Sequence, residues 1–268
     1  MVDEIDKGLL EVFELHQNLD EPVSCDVSRW LEGEYQPKGF LGKIAQASGF
    51  SEVGLSRFAD SFKRLESTTS LGLKKIHRSE VLALGAMYRQ REVSATELFL
   101  ASMMWGNGST GYGTYRTCIA LNVPRKKGIE PISVIEKVGL LAASGDIKDA
   151  YETMTNALWK IGPAFGTKFL YFASPLKNQA LIFDGVVAQW SSPDSTWKPQ
   201  PSSAWSWNWK SYNEYMEWCE KKFNALPAEF KNGLSTLHGD GVMRVDMVEA
   251  SIFTHLNSRK LALVKGST

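Results

Sequence analysis

"LWKIGPAFGTKFLYFA", residues 158–173, sets a Gly-Pro, a second glycine and a lysine between two apolar segments of helical period. A plain turn needs one breaker, so the second glycine points to backbone brought close to something. The spacing predicts a helix ending at Lys160–Ile161, a Gly-containing hairpin, and a new helix beginning near Thr167 with Lys168 at the restart. Backbone N–H groups of such a hairpin and of the helix start after it lack intrahelical partners. They form a ready anion site, and phosphate is the usual anion. An ordinary corner between two helices fits the same residues.

Helical signals continue on both sides. "SATE" (Ser94–Glu97) reads as a capping box before "LFLASMMW", and "SVIE" (Ser133–Glu136) as another before "KVGLLAA". Ile147, Ala150, Tyr151, Met154 and Leu158 recur at three and four after a capping Asp146 or Ser144. Ser211 and Glu214 are expected to cap "YNEYMEWCEKKFNAL", and Asp246 with Glu249 to open "DMVEASIFTHL". Strand-type alternation is almost absent; "QALIFDGVV" is a short apolar run too isolated to form a sheet. The expected class is all-α. Residues 1–78 read as an N-terminal helical segment with turns at "YQPKGF" and "TTSLG". Residues 79–190 read as the core, and 191–268 as a linker and C-terminal helices packing back on that core. The linker "SSPDSTWKPQPSSAWSWNWK" (191–210) is rich in Ser, Pro and Trp and has no period.

Composition narrows the chemistry. The 268 residues, 43% hydrophobic and 22% charged, suit one large domain or two small subdomains. Thirty Lys plus Arg balance 30 Asp plus Glu, so the net charge is zero. A sequence-neutral coat for DNA is usually basic, so nucleic-acid contact here requires a local patch. Cys25, Cys118 and Cys219 stand far apart with no C-x-x-C, which argues against zinc and iron–sulfur sites. Three free thiols in a reducing cytoplasm are expected, with no metal and no cofactor. The acidic, amphipathic "MVDEIDKGLLEVFELHQ" is unlike a signal peptide, and no run reaches membrane-span length, so a cytoplasmic chain without membrane contact is expected. His16, His77, His238 and His255 lack ligand spacing, "HGDG" (238–241) reads as a turn, and neither a P-loop nor G-x-S-x-G is present.

One acid stands out. Asp184 ends the apolar run "QALIFD", and a carboxylate beside buried apolar residues is costly unless paired or used. Asp184 also has the character of an N-cap for "GVVAQW".

Together, "IGPAFGTKFLYFA" and "LIFD" ending in Asp184 resemble the helix-hairpin-helix DNA base-excision glycosylases, the superfamily of endonuclease III and 8-oxoguanine DNA glycosylase. The chain is especially similar to a bacterial 8-oxoguanine-glycosylase-like branch carrying a motif like "WGNGSTGYGTYR", here Trp105–Arg116. The resemblance covers residues 80–190 well and the flanks weakly. It implies two helical subdomains with a cleft between them, and an enzyme that flips a modified or oxidised purine out of DNA and excises it. Hairpin residues 162–167, with Gly162, Ala164, Gly166 and Thr167 as ligands, would hold a DNA phosphate. Asp184 would stabilise positive charge on the sugar. Lys168 would attack C1′ as a Schiff-base nucleophile with associated lyase activity, aided by desolvation or a neighbouring cation.

The family hairpin usually reads L-P-G-V-G-x-K-x-A. Aligning "GTK" to its end makes Lys168 the nucleophile, puts Ala164 in a glycine position and leaves Asp184 only 16 residues on. Family spacing is about eighteen to twenty. Taking Gly162 as the first glycine keeps that spacing but puts Gly166 in the Lys position. A displaced Lys and a monofunctional or inactive protein both stay open. "WGNGSTGYGTYR" is expected to be a flexible loop bearing rings and a cation, with Trp105, Tyr112, Tyr115 and Arg116 as candidates for base or DNA contact. Arg125 and Lys126 of "VPRKK" are candidates too, or a solvated loop. Trp205, Trp207 and Trp209 form either a lesion-facing lid or a flap folded on the core. A second function class fits as well: an accessory protein of a bacterial anti-phage operon that has lost turnover and handles a modified nucleobase or a protein partner.

Overall fold

Helices carry nearly all the regular structure in the computed structural model, which describes residues 19–20, 22–25, 75–108, 111–191, 207–228, 238 and 242–265. The all-α expectation holds. Most of the N-terminal segment, its turn signals, most of the Ser/Pro/Trp linker with Trp205, and most of "HGDG" lie outside the described residues. The chain divides into two compact units, one spanning Pro22–Ala180 and the other joining Met1–Glu21 to Leu181–Thr268.

The larger unit holds helices α1 (Arg78–Arg89), α2 (Ala95–Asn107), α3 (Gly111–Asn122), α4 (Pro131–Ser144), α5 (Ile147–Ala157) and α6 (Pro163–Ala173). It also holds a two-residue antiparallel pair, β1 (Val23–Ser24) with β2 (Lys75–Ile76), and a short 3-10 turn at Leu176–Asn178. The capping box at Ser94 and Glu97 is present: the serine hydroxyl accepts from the Glu97 amide, and the Glu97 carboxylate accepts from the Ser94 amide at 2.8 Å. Other caps sit three residues upstream of their expected places. Glu130 caps α4 by accepting from the Ser133 amide at 2.8 Å, with Pro131 at the first helical position. Pro is preorganised there and has no donor to lose, which makes Glu130-Pro131 the start and Ser133 an interior residue. Asp146 precedes α5 without a side-chain capping bond.

Helix α6 is the hub. It packs against α1, α2, α4 and α5, and Phe169 through Ala173 are wholly buried. Two edge-on aromatic pairs, Phe99 with Phe169 and Trp105 with Phe172, both at 5.4 Å between ring centres, fasten it to α2. Its last carbonyls run out of amides within the helix and need donors from beyond its end. The Ser174 amide serves Leu170 at 2.9 Å, and the Ser174 hydroxyl serves Tyr171 at 3.2 Å. Arg89 of α1 serves Phe172 at 3.2 Å and Ala173 at 3.5 Å, and reaches the Ser174 carbonyl at 3.0 Å. A cation suits this end of the helix dipole, although burial pulls the Arg89 guanidinium below its ordinary value. α1 can come this close because Gly85 has no side chain: a Cβ there would lie 2.0 Å from the Phe172 carbonyl oxygen.

The smaller unit holds α7 (Gly185–Ser191), α8 (Trp209–Ala225) and α9 (Asp246–Lys265), with α9 packed on both others. Asn208 caps α8 by accepting from the Ser211 amide at 3.0 Å, so Ser211 lies in the first turn and is not the cap. Inside this unit, His238 Nε2 lies 2.7 Å from an Asp246 carboxylate oxygen, both side chains buried.

Two predictions follow from this packing. Gly85→Ala should lower stability by about 1–3 kcal/mol in a thermal or urea melt, because the obstructing atom is backbone and cannot rotate away. Cys118 and Cys219 are buried, and desolvation pushes the Cys118 thiol up to about 12 and Cys219 well above its usual range. Neither should react with a chromogenic disulfide at pH 8 until the chain is unfolded in guanidinium.

Candidate functional site

The chain between α5 and α6 is the short connection Leu158–Gly162. Leu158 and Ile161 are buried and anchor it. Lys160 turns it with a left-handed φ of 64°, and Gly162 enters α6 as its N-cap. The helix begins at Pro163, not near Thr167, so Gly166 lies inside its first turns and breaks nothing. Gly166 is there for space: a Cβ would lie 2.1 Å from the Met154 methyl of α5. Close packing of α5 on α6 therefore uses the glycine that reads as a turn in the sequence.

This start decides where Lys168 sits. It occupies the second turn of α6, and helical side chains lean toward the N-terminus. The Lys168 Nζ accordingly reaches back one turn, donates to the Ala164 carbonyl at 3.1 Å and lies at the hairpin end of the helix. The residue is 5% exposed, and its stem runs over α2 at Gly106, where a Cβ would meet Cδ at 2.6 Å. Phe165, one turn before it on the same face, carries the Lys168 amine 5.5 Å from its ring centre and the Arg116 guanidinium at 3.9 Å. Arg116 also lies 4.9 Å over Tyr112. Burial lowers the Arg116 pKa from its ordinary value, and the neighbouring Tyr112 opposes that shift. Two cations thus share one ring beside the start of α6.

The hairpin donors are unequal. Gly166 gives its amide to the Gly162 carbonyl at 2.9 Å, and Phe165 reaches the same oxygen at 3.2 Å. Thr167 is buried, with its hydroxyl donating to the Pro163 carbonyl at 2.8 Å. Gly162 and Ala164 are half-buried and stand nearer to solvent.

The stretch "WGNGSTGYGTYR" is mostly helix, which corrects the expectation of a flexible loop. Trp105 lies in α2 and Tyr112, Tyr115 and Arg116 in α3. Gly108, at φ 55°, ends α2, while Gly113 lets Asn107 pack on α3, where a Cβ would be 2.4 Å from that of Asn107. Trp105 is buried with Phe172 at its edge and Arg78 over its ring at 4.9 Å. Tyr115 is buried with Ile119. Arg125, Lys126 and Lys127 are exposed, and Arg125 donates to the Thr155 carbonyl.

In the smaller unit, Leu181–Asp184 belongs to neither helix nor strand. Buried backbone must nonetheless be satisfied, and two tyrosines of α8 do it. Tyr212 accepts from the Leu181 amide at 3.1 Å and donates to its carbonyl at 2.8 Å; Tyr215 donates to the Ile182 carbonyl at 2.8 Å. Phe183 is held between Trp207 and Tyr215, with ring centres at 4.1 and 4.6 Å. Trp207 is buried there, as a flap folded on the core would be. The next residue, Asp184, is 8% exposed, and its Oδ1 accepts from the Val186 and Val187 amides at 3.0 and 3.2 Å. It therefore caps α7, as the sequence allows. Lys168 belongs to the larger unit and Asp184 to the smaller.

Sequence reasoning missed Phe165 and Gly106. The Phe165–Lys168 spacing of three was available as a same-face signal. The role of Gly106 had no local signal, because the side chain that fills its gap comes from α6. Among the described residues no group of three or more His, Cys, Asp or Glu side chains suits a metal, and no helix is long and apolar enough to cross a membrane.

The Lys168–Gly106 fit is testable by a double-mutant cycle. Gly106→Ala should destabilise the wild type more than it destabilises Lys168→Ala, with a coupling of about 1 kcal/mol in urea melts. Equal costs in the two backgrounds mean that the two residues do not touch.

A family profile described as "Putative 8-oxoguanine DNA glycosylase OGG-like protein" matches residues 49–253. Searches of curated proteins and of solved structures gave no match. The chain belongs to this OGG-like family, and its function is DNA glycosylase-like.

Proposed function

We propose that this member of the OGG-like family excises an oxidised purine of the 8-oxoguanine kind from DNA, using Lys168 as nucleophile and Asp184 as the charge-stabilising carboxylate. One observation supports the reading most: the Lys168 amine is drawn back to the hairpin end of α6, beside the half-buried Gly162 and Ala164. A phosphate held by the Gly162 and Ala164 amides would set the adjoining sugar near that amine.

In the proposed reaction the lone pair of Lys168 Nζ forms a bond to C1′ as the C1′–N9 bond breaks. The bonding electrons leave with the purine, which takes up a proton. Asp184 offsets positive charge that builds on the sugar ring. Loss of a proton from nitrogen and opening of the ring give the C1′ iminium, from which strand cleavage proceeds. The Lys168 amine must leave the Ala164 carbonyl to attack, so the bond in this structure describes the resting arrangement. The zero net charge favours a second reading, an accessory protein without turnover, because it predicts weak duplex affinity.

Purified protein should release 8-oxoguanine from a duplex, and borohydride should trap a protein–DNA adduct. Lys168→Ala should abolish the trap. Asp184→Asn should lower base release by about a hundredfold or more while keeping the fold, because Asn caps a helix as well as Asp. Trapping that survives Lys168→Ala removes the nucleophile assignment, and release undiminished in Asp184→Asn removes the role of the carboxylate. Release without any trap makes the protein monofunctional, and neither release nor trap favours the accessory reading.

A further inference from the structure

We propose that the α3–α4 loop and the hairpin before α6 form one basic strip that docks the backbone of duplex DNA. The proposal rests on the glycosylase-like reading and names the surface by which a chain of zero net charge would hold its substrate.

The strip is built on an orphan carbonyl. At the end of α5 the Met154 carbonyl still takes its i+4 amide, that of Leu158, at 3.0 Å, while the Thr155 carbonyl takes the Arg125 guanidinium. A cation at this end of the helix is also favoured by the dipole. Arg125 is therefore a tether, not a phosphate ligand, and it fastens the α3–α4 loop to the α5 end of the hairpin. Beyond it the chain makes a tight turn, with the Ile129 amide donating to the Lys126 carbonyl at 3.2 Å and Gly128 at φ 83°. That turn displays Lys126 and Lys127 to solvent. Of the exposed acids near the loop, Glu130 is engaged in capping α4, while Glu152 lies on α5 a turn before Thr155.

The hairpin adds a second part. Trp159 is 39% exposed, with the Lys160 amine 5.9 Å from its ring. Lys160 holds a left-handed backbone that glycine adopts without penalty and other residues adopt at a cost of about 1–3 kcal/mol. A half-buried lysine here costs the backbone more than glycine would, and it brings a cation to the hairpin beside the exposed Trp159 ring. Lys126, Lys127 and Lys160, with one exposed ring, match a phosphate backbone in charge and make no demand on sequence.

Binding of a lesion-free duplex, followed by fluorescence anisotropy from 25 to 200 mM salt, tests this. (The salt range is about that over which phosphate contacts are read.) Lys126→Glu/Lys127→Glu, and the milder Lys126→Ala/Lys127→Ala, should flatten the slope of log K against log salt by about 2. Lys160→Gly should flatten it by about 1 while leaving the melting temperature unchanged or higher. With 8-oxoguanine substrate, KM should rise in all three variants and kcat should hold. Wild-type affinity and slope in the variants, from a protein that still releases base, overturn the strip and leave the glycosylase reading intact. Tighter binding of duplex RNA than of duplex DNA overturns the choice of ligand. A wild type that neither binds duplex nor releases base overturns both.

Discussion

A helix packed against four others is the constraint on which the larger unit depends. α6 lies among α1, α2, α4 and α5, and three of these contacts run through a glycine. Gly85 lets α1 reach the carbonyls at the C-terminal end, Gly106 lets α2 pass under Lys168, and Gly166 receives Met154 of α5. Leaving those carbonyls bare in the interior would cost more than any single contact returns. Arg89 and Ser174 together satisfy all four, so termination of the helix and packing of the unit are one problem with one solution.

The smaller unit solves the related problem of a buried apolar run that belongs to neither helix nor strand. Tyrosine hydroxyls replace strand partners at Leu181 and Ile182, and a stack of Trp207 and Tyr215 grips Phe183. The consequence falls on Asp184. Its backbone is placed by the buried residues before it, and one carboxylate oxygen is occupied by the amides of α7.

Electrostatics in this chain is local. Equal numbers of acids and bases leave no net charge, so what matters is where individual cations are placed. Arg116 and Lys168 lean on Phe165, Arg78 covers Trp105, and Arg125 closes the end of α5. Each of these has a ring or a carbonyl beside its charge, which helps to fix its place. Several side chains that read as groups for contacting a base, Trp105 and Tyr115 among them, are buried in the packing of α2 and α3.

The order of helices, the capping box at Ser94, the near-absence of strand among the described residues and the capping role of Asp184 were legible from residue types and spacing. All of these rest on contacts within a few residues, which period and cap chemistry encode directly. Caps at Glu130 and Asn208 were less legible, because Ser133 and Ser211 satisfy the same rule one turn later and only the packed helix chooses between them. The glycines were least legible. Gly166 looks like a breaker and is a packing gap, and Gly106 and Gly113 look like a flexible loop and are the seats of Lys168 and Asn107. By itself the sequence determined that this chain is helical and carries a lysine and an aspartate near a helix break. Only the tertiary structure decided that α6 begins at Pro163 and that its lysine folds back to the hairpin. A missing side chain says nothing about what fills the space opposite, and that atom comes from a residue distant in the chain.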